Sequence, residues 1–473
     1  LDPEAIRRVR EEAWPSPTSA DEVHEALLWM GYVAVDEAPS WSAWLAELRA
    51  AGRAVLDGDR WFAVEASREP IDVLRGRLEA LGPVVSDDPL MFQLENEGTV
   101  LRGRFENDAG GGGRQGWCNR RLLARIHRYT LDRLRKEIEP VTAADFLRFL
   151  ASWQHVDDEY KLEGPRGVAE VVRQLAGFEV AASAWEASVL PARVRGYKRE
   201  WLDEVTLSGE VAWGRLWGSA AGAVRSTPVC LVPRDEVEAW TALARGEAPA
   251  PLDESTLRGA AREALRALTQ RGAMFPKELA RAERLLDAEL ETGLGELVSR
   301  GLVTCDSYAG LRSLVGPASR KRVRVPVAGR WSLLGASVSS VHWGPGPNGS
   351  GPDASGSPGG AAEFVARQLL RRTGVVFRKT ILREKQPLPW RDLVRELRRL
   401  EARGEVRGGR FVAGFDGEQY ALPEAVSLLR AVRRRGALAT PLYCSAADPL
   451  NLRGILTPDE RVSPLARGKV LVA

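Results

Sequence analysis

The stretch Arg391–Gly414 first has apolar residues at a helical spacing and then two short runs at a strand spacing. Its helical apolar stripe consists of Leu393, Val394, Leu397 and Leu400. This spacing predicts an amphipathic helix, and Gly404 is placed where glycine commonly ends one. Two short runs follow, Glu405–Arg407 and Arg410–Val412, and the Gly408–Gly409 pair between them is typical of a two-residue hairpin turn. Helix, stop and tight hairpin together predict the second half of a winged helix-turn-helix.

The same order of apolar helix, glycine and paired short runs occurs at four earlier places in the chain. They are Trp44–Val64 with Asp57–Gly58 in its turn, Phe92–Phe105, Trp201–Leu216 and Leu294–Leu311. Five degenerate copies predict tandem modules, although their uneven spacing argues against a strict solenoid. The alternative is five ordinary helix-to-hairpin junctions of an α+β protein. We predict an α+β chain with about five winged-helix modules.

Two segments have the composition of flexible connections. Residues 109–114 (AGGGGR) and residues 344–360 (GPGPNGSGPDASGSPGG) are rich in glycine, and the second is also rich in proline and serine. The tail from Leu438 onward is expected to form short strands and turns, paired with the β-like run Pro228–Pro233. Limited proteolysis is expected to cut first within 344–360.

Composition excludes several classes of protein and leaves nucleic-acid binding open. The net charge of the 473 residues is only +3, yet arginine is locally dense, which permits contact with phosphates. The four cysteines lie far apart without a CxxC pair, which argues against a zinc ribbon or an iron–sulfur site and fits a reducing cytoplasm. The sequence has no P-loop, HExxH or GxSxG motif, and no apolar run of the ~18 residues that span a membrane. Leu1 instead of methionine at the first position is expected for a piece of a longer protein.

The most basic segment is the predicted helix Arg120–Ile138. Seven cations are opposed there by Asp132 and Glu137, more than pairing along one helix can neutralise. A solvated face and a phosphate-binding face explain this excess equally well. The candidate nucleic-acid-binding residues are those of this helix and of two predicted wings: Arg102, Arg104, Arg120, Arg121, Arg125, Arg128, Arg407 and Arg410.

Candidate chemistry is concentrated after the predicted apolar helix that begins at the N-cap Thr142. The sequence Trp153-Gln-His-Val-Asp-Asp158 places an amide, an imidazole and two carboxylates beside an aromatic ring. An enzyme that excises a flipped base uses such groups to stack on the base, read its edge and stabilise positive charge. The alternative is a solvated helix end. The candidates are Gln154, Asp157 and Asp158, with Gln154 and Asp157 expected to line a cleft.

A second candidate, Asp448, precedes Pro449 near the end of the chain. Aspartate before proline commonly forms a turn, so a structural turn is the alternative to a role in a site.

Many long segments of this sequence resemble, in the same order, the C-terminal region of the bacterial large helicase-related protein family, Lhr. They include REEAWP, LRGRF, CNRRLLARIHRYTLDRLRKEIEPV, FLASWQHV, LEGPRGVAEVVRQLAGFE, LSGEVAWGRL, GRWSLL, RGGRFVAGFDGEQYALPEAV and SAADPLNLRGILTP. The resemblance implies a non-motor part of a 3′-to-5′ ATP-dependent DNA repair helicase. It also implies tandem winged helices with a small β-barrel, similar to the AlkZ class of DNA glycosylases, and a uracil- or alkyl-DNA glycosylase activity. An oligomerisation module without catalytic activity is the alternative function.

The AlkZ class uses two glutamines separated by one residue, and only the first, Gln154, matches here because Val156 occupies the second position. The resemblance further implies DNA, the helicase core of the same polypeptide and a second copy of the chain as partners. It implies a cytoplasmic, nucleoid-associated protein without a membrane segment. No cofactor or metal is expected in this segment, since ATP and magnesium serve the motor domains.

These expectations divide the chain into eight parts. They are winged helix 1 (1–66), winged helix 2 with the glycine joint (67–114), a winged-helix region with the basic helix and candidate site (115–218), β-barrel strands (219–254), winged helix 4 (255–343), the linker (344–360), winged helix 5 (361–435) and a β-barrel tail (436–473).

Overall fold

The computed structural model describes residues 1–105, 115–136, 138–217, 227–246, 254–315, 329–335, 358–437, 440–466 and 468–472. The predicted glycine joint 109–114 lies outside these residues, and so does 344–357 of the predicted linker. Residues 358–360, which were expected to belong to that linker, instead begin a helix. The chain divides into two compact units, Leu1–Glu137 and Ile138–Ala473.

The first unit contains six α-helices and five strands in its described residues. They are α1 (Pro3–Ala13), α2 (Ala20–Met30), β1 (Val33–Ala34), α3 (Ser42–Ala50), β2 (Ala54–Asp57), β3 (Arg60–Ala63), α4 (Pro70–Leu81), α5 (Leu90–Asn96), β4 (Val100–Arg104), β5 (Gln115–Asn119) and α6 (Arg120–Lys136). A 3-10 turn, Pro39–Trp41, precedes α3. Ser19 caps α2, since its side chain accepts a hydrogen bond from the Glu22 amide.

The first predicted hairpin of this unit is confirmed with a shift of one residue. Asp57 pairs with Arg60, so the two-residue loop is Gly58–Asp59, and Gly58 has the positive φ of 61° that such loops favour. In the second hairpin, β4 pairs with β5 across residues 106–114. The predicted boundary between residues 114 and 115 therefore falls between two paired strands.

The first half of the second unit is rich in helices. It contains α7 (Ala143–Trp153), β6 (Leu162–Glu163), α8 (Gly164–Leu175), β7 (Val180–Ala181), α9 (Ala182–Ala184), a π-helical turn (Trp185–Val189), α10 (Leu190–Arg193), β8 (Val194–Arg195), α11 (Arg199–Leu207), β9 (Val211–Gly214), β10 (Pro228–Pro233), α12 (Val237–Arg245), α13 (Gly259–Arg271), α14 (Pro276–Ala282), α15 (Asp287–Ser299), β11 (Val303–Cys305) and α16 (Tyr308–Val315). Short 3-10 turns lie at Asp158–Tyr160, Arg234–Glu236 and Glu254–Thr256.

The second half of this unit continues the alternation of helix and short strand. It contains β12 (Trp331–Leu333), α17 (Pro358–Thr373), β13 (Val375–Val376), α18 (Trp390–Ala402), β14 (Arg407–Gly409), β15 (Gln419–Ala421), α19 (Pro423–Arg435), β16 (Tyr443–Ser445) and β17 (Lys469–Leu471).

One strand order recurs along the chain. The described residues form three three-stranded sheets, ordered β1-β3-β2, β7-β10-β9 and β13-β15-β14, and in each of them the last strand along the chain lies between the first two. Two single-residue bridges reproduce this order, with Val84 beside β5 of the β4–β5 pair and Met274 beside β12 of the β11–β12 pair. In each case at least one helix separates the first strand from the second, and between β7 and β9 the short strand β8, which pairs with β6, is also present. This order is that of a winged helix, and it agrees with the predicted helix-to-hairpin pattern.

The fifth hairpin differs from its prediction. Gly408 and Gly409 lie within β14, which pairs with β15, so the wing loop spans residues 410–418. Glycine is required at position 408 because the Glu401 carboxylate lies close to its backbone. The Gly408 amide donates to Glu401 Oε1 at 3.0 Å, and a Cβ at this position would clash with that carboxylate. The side chain of Gln419 fills the wing loop and accepts hydrogen bonds from the amides of Phe411 and Val412 at 2.9 and 2.8 Å.

The expected pairing between the tail and the Pro228–Pro233 run is wrong. Both edges of β10 are already occupied by β7 and β9, which leaves no edge for another strand. The tail strand β16 pairs with β17 instead, and no sheet among the described residues closes into a barrel.

Two hydrophobic cores organise most of the second unit. One joins α8, α11, α13 and α15 with the strands between them, and Trp213 meets Trp331 edge to face inside it, with ring centroids 5.9 Å apart. The other joins α7, α19, part of the α17–α18 module and the tail. The sequence candidates Gln154 and Asp448 lie at the second core.

Candidate functional site

Helix α7 is held in place by a capping box at its start and by an aromatic stripe along one side. Thr142 and Asp145 form a capping box at its start, as the predicted N-cap requires. Phe146, Phe149 and Trp153 stack along one side, with centroids 5.7 and 5.6 Å apart. The helix ends at Trp153, so Gln154 is held in place by a rigid element.

Gln154 is buried, with 2% of its surface exposed, and both ends of its amide are bonded. Its Nε2 donates to the carbonyl oxygen of Arg372 at 2.9 Å, and its Oε1 accepts from Arg193 Nη2 at 3.0 Å. The expectation that Gln154 lines a cleft is therefore wrong, because α10 and the end of α17 bind its amide on both sides.

Arg193 joins the two segments that the sequence selected separately. Its guanidinium forms a bidentate ion pair with Asp448, with N–O distances of 2.7 and 2.8 Å, while bonding Gln154. The side chains of Arg193 and Asp448 are 0% and 1% exposed. Sequence reasoning missed Arg193, although an arginine inside the apolar run Val189–Val194 was a signal of a buried partner.

Asp448 also organises the tail around itself. Its Oδ1 accepts from the Leu450 amide at 2.9 Å, the turn that the sequence predicted before Pro449. Arg383 donates to the backbone carbonyls of Asp448, Pro449 and Asn451. Burial lowers the pKa of the Arg383 guanidinium from its usual value. Gln154, Arg193 and Asp448 form a continuous buried polar network, which we call the Arg193 network.

Asp157 and Asp158 have different surroundings. Asp157 is 8% exposed, accepts from Ser152 Oγ at 2.9 Å and pairs with Arg435. Burial alone would raise the pKa of Asp157, but the hydrogen bonds from Arg435 and Ser152 outweigh it and lower that pKa. The Asp158 side chain is 82% exposed and pairs with Lys161 at 2.7 Å. The structure thus joins Gln154 to Asp448 through Arg193, but it places neither Asp157 nor Asp158 in the Arg193 network.

The histidine of the same segment is part of the local backbone geometry. His155 has a φ of 62°, and its Nδ1 lies 2.9 Å from the carbonyl oxygen of Tyr160. Burial lowers the pKa of His155. Among the described residues, no group of three histidine, cysteine, aspartate or glutamate side chains is arranged to hold a metal ion.

The candidate nucleic-acid-binding arginines of the first unit lie on β4 and α6. Arg102 is 42% exposed, 3.4 Å from Glu95 and within 5.8 Å of the ring centroids of Phe92 and Trp117. Arg125 pairs with Glu12, and the Arg128 guanidinium lies 5.2 Å from the Tyr129 ring centroid. The remaining three, which are exposed, are Arg104, Arg120 and Arg121.

In the second unit, Arg407 and Arg410 lie at the start of the wing. Both are exposed, and Arg410 is 3.7 Å from Asp416. Arg407 forms no ion pair with any residue that the structure describes. A wing with exposed cations is able to contact phosphates.

Family models identify the type of two of these modules. Residues 141–234 and 355–440 match models described as a winged-helix domain of the large helicase-related protein. The predicted resemblance to Lhr is confirmed. The second match covers the segment that was predicted as winged helix 5.

Two curated Lhr proteins are similar to most of the chain. "Lhr helicase/ probable uracil glycosylase" of Mycolicibacterium smegmatis is 32% identical over 419 residues, which is 83% of this chain and 26% of that protein. "Lhr helicase/uracil glycosylase" of Escherichia coli is 28% identical over 416 residues, 80% of this chain and 25% of that protein. The chain spans about a quarter of the length of these relatives.

A solved structure, the Streptomyces sahachiroi DNA glycosylase AlkZ, aligns with 62% of this chain and 73% of its own at 15% identity. The TM-score of 0.34 is too low to support an argument about the fold or the site. Among the described residues, no helix combines the length and the apolar character needed to cross a membrane.

Proposed function

We propose that this chain is a DNA-binding segment of an Lhr-type repair helicase, outside the motor, and that its winged helices hold the DNA. One observation carries the proposal: the module that matches an Lhr winged-helix domain presents exposed Arg407 and Arg410 at its wing. The recurring strand order supports five such modules, two of them matched by family models. Cations on exposed wings favour phosphate contacts, which supply most non-specific affinity for DNA.

Equilibrium binding to labelled DNA tests this proposal. We expect the chain to bind duplexes of unrelated sequence with similar affinity, because phosphate contacts carry no sequence information. If six phosphates are contacted, raising salt from 50 to 200 mM should weaken binding roughly 10³-fold. Affinity that is absent at 50 mM salt, or that does not change with salt, would refute the proposal.

The proposal includes the partners and setting that the resemblance implies. The helicase core lies in the same polypeptide, where ATP and magnesium would serve the motor, and the protein would act in the cytoplasm at the nucleoid. A homo-oligomer is also part of it, and light scattering after gel filtration measures the oligomeric state directly. An assembly role without DNA contact remains the rival function, which a compact oligomer with no DNA affinity would favour.

Base excision is the second proposed function, and the names of both relatives favour it. Asp158 is the candidate carboxylate with access to a substrate, since its side chain is 82% exposed. Gln154, Asp157 and Asp448 are buried and paired, so we assign them the positioning of this end of α7.

Single-turnover cleavage of uracil- and alkyl-containing strands tests the second function. We expect Asp158→Asn to slow excision by roughly 10²-fold, the effect of losing one group that stabilises the transition state. Lys161→Ala is the matched control, because it removes only the ion-pair partner of Asp158. No excision by the unaltered chain would refute base excision and leave the binding proposal intact.

A further inference from the structure

The modules of the second unit differ in the charge of the helix that precedes each wing. This helix is α11 in the module of residues 141–234, α15 in the next module and α18 in the module of residues 355–440. In a winged helix, this helix lies beside the wing, so both can meet the same ligand. The sign of its exposed charge therefore decides whether a phosphate backbone is attracted or repelled.

Helix α15 carries four carboxylates and neither lysine nor arginine. They are Asp287, Glu289, Glu291 and Glu296. Asp287 and Glu289 are exposed at its first turn, beside Leu286, which is 70% exposed. Glu296 is paired with Arg300 at 2.9 Å, so the exposed Asp287 and Glu289 are the charges that repel a phosphate backbone.

Helix α11 is both acidic and partly covered. It carries Glu200, Asp203 and Glu204 against one cation of its own, Arg199. Helix α16, inserted between the two wing strands of the neighbouring module, packs against α11. Arg312 of α16 binds Asp203 through two contacts of 3.0 and 3.1 Å.

The same arginine also links α16 to the π-helical turn Trp185–Val189, which precedes α11 in the chain. Arg312 also binds Glu186 at 2.8 and 2.7 Å, so one side chain neutralises two carboxylates. Burial alone would lower the pKa of Arg312, but these hydrogen bonds outweigh it and raise that pKa. The Asp203 side of α11 is thus covered by protein, and the exposed Glu200 and Glu204 leave the rest of the helix acidic.

Helix α18 has the opposite charge on its exposed side. Its arginines are exposed, with side-chain exposures of 83%, 63%, 62% and 58% for Arg391, Arg395, Arg398 and Arg399. Two of its three carboxylates, Glu396 and Glu401, are buried at 3% and 5%. The helix therefore presents its cations to solvent and turns most of its acids inward.

The wing adds exposed cations to this module and is fixed to α18. Arg398 reaches Glu418 of the wing loop with N–O distances of 2.9 and 3.0 Å, which joins helix and wing. Arg407 is exposed on β14, and Arg378 and Lys379 are exposed in the turn between β13 and α18. The ion pairs of Arg391 and Arg395 with Asp392 are exposed and individually weak, so both remain able to bind phosphates.

We infer that, within residues 138–473, nucleic acid binds the module of α18 and its wing, whereas α11 and α15 do not contact it. The inference rests on the proposed DNA-binding function and names its surface. The ligand is the phosphodiester backbone of single-stranded or double-stranded nucleic acid, which Arg391, Arg395 and Arg407 recognise. Helix α11 instead serves as a docking face for α16.

The test compares two double variants of the full chain that remove the same charge. Arg391→Ala with Arg395→Ala alters α18, and Arg271→Ala with Arg281→Ala alters exposed arginines of the neighbouring module. If each α18 arginine neutralises one phosphate, the slope of log Kd against log salt becomes shallower by about two units, and affinity at 0.1 M salt falls roughly 60-fold. The control pair should stay within about twofold of the unaltered chain, and Arg391→Lys with Arg395→Lys should retain the slope, because lysine keeps the charge.

The outcomes separate this inference from the proposal beneath it. Equal losses in both double variants, or an unchanged slope in the α18 variant, would overturn the assignment while DNA binding stands. No binding by the unaltered chain would refute the proposed function itself. Equal melting temperatures for all variants would show that a shallower salt slope reflects lost phosphate contacts and not partial unfolding.

Discussion

Removing the Asp448 carboxylate should destabilise the junction between the tail and α7 far more than removing an exposed carboxylate. Asp448→Ala leaves the Arg193 guanidinium buried without its counter-charge, and it also leaves the Leu450 amide without its acceptor. Breaking a buried ion pair by removing one partner costs about 3–5 kcal/mol. We expect a loss in this range.

The assay must be local, because a chain of two compact units need not unfold in one step. Hydrogen exchange of the amides in 448–456 and 150–156 reports opening at this junction. The expected loss corresponds to an exchange rate roughly 10²- to 10⁴-fold higher in both segments. Asp459→Ala is the control, since its side chain is 46% exposed and 3.5 Å from Arg453, and it should cost less than about 0.5 kcal/mol.

A double variant separates the ion pair from general disruption. Replacing Arg193 by Met and Asp448 by Leu removes both charges, so the double variant should recover part of the stability lost in the single variants Arg193→Met and Asp448→Leu. Exchange in Asp448→Ala equal to that of the unaltered chain would refute the reasoning. So would a double variant whose loss equals the sum of the single losses, because the two groups would then be uncoupled.

Three further changes test the local interpretations. Gly408→Ala should destabilise the α18 module by about 1–3 kcal/mol in urea titrations, because its Cβ would clash with Glu401 and break the hydrogen bond from the Gly408 amide to that carboxylate. Gly259→Ala is the control and should be nearly neutral, since the space around Gly259 is open. Gln419→Ala should raise hydrogen exchange in the wing loop 410–418, since that side chain bonds its amides, and unchanged exchange would contradict this role. The folded-state pKa of Asp157 is depressed below its ordinary 3.8, so its stabilisation is present above pH 3.8 and is lost as pH falls through the folded-state pKa. Exchange at the end of α7 should therefore rise in acid, and Asp157→Asn should show less of this pH dependence.

Local rules predicted the elements whose causes lie within a few residues. Thr142 was expected to cap α7, and it does so through a capping box with Asp145. Gly404 was expected to end the helix of the last module, and α18 ends at Ala402 with Gly404 at a φ of 78°. Such signals act through neighbouring backbone groups, which a sequence shows directly.

The candidate site could be predicted only in part because its partners are far apart in sequence. Asp448 and Gln154 were each selected, but the residue that joins them, Arg193, lies 255 positions from Asp448. Local sequence rules place Gly408 in a turn, whereas glycine is required there because the carboxylate of Glu401, seven residues earlier, lies against its amide. The burial of Gln154 likewise involves Arg193 and Arg372, which lie 39 and 218 positions away, and nothing in the sequence around α7 indicates these contacts.

The most direct test of winged-helix DNA binding is the salt dependence of a variant with four wing arginines replaced. In the quadruple variant Arg102→Ala, Arg104→Ala, Arg407→Ala and Arg410→Ala, the slope of log Kd against log salt should become shallower by about one unit per lost phosphate contact. Affinity should fall alike for every DNA sequence, because these contacts position the protein and do not read bases. A slope identical to that of the unaltered chain would contradict the account by removing the wings from the DNA interface.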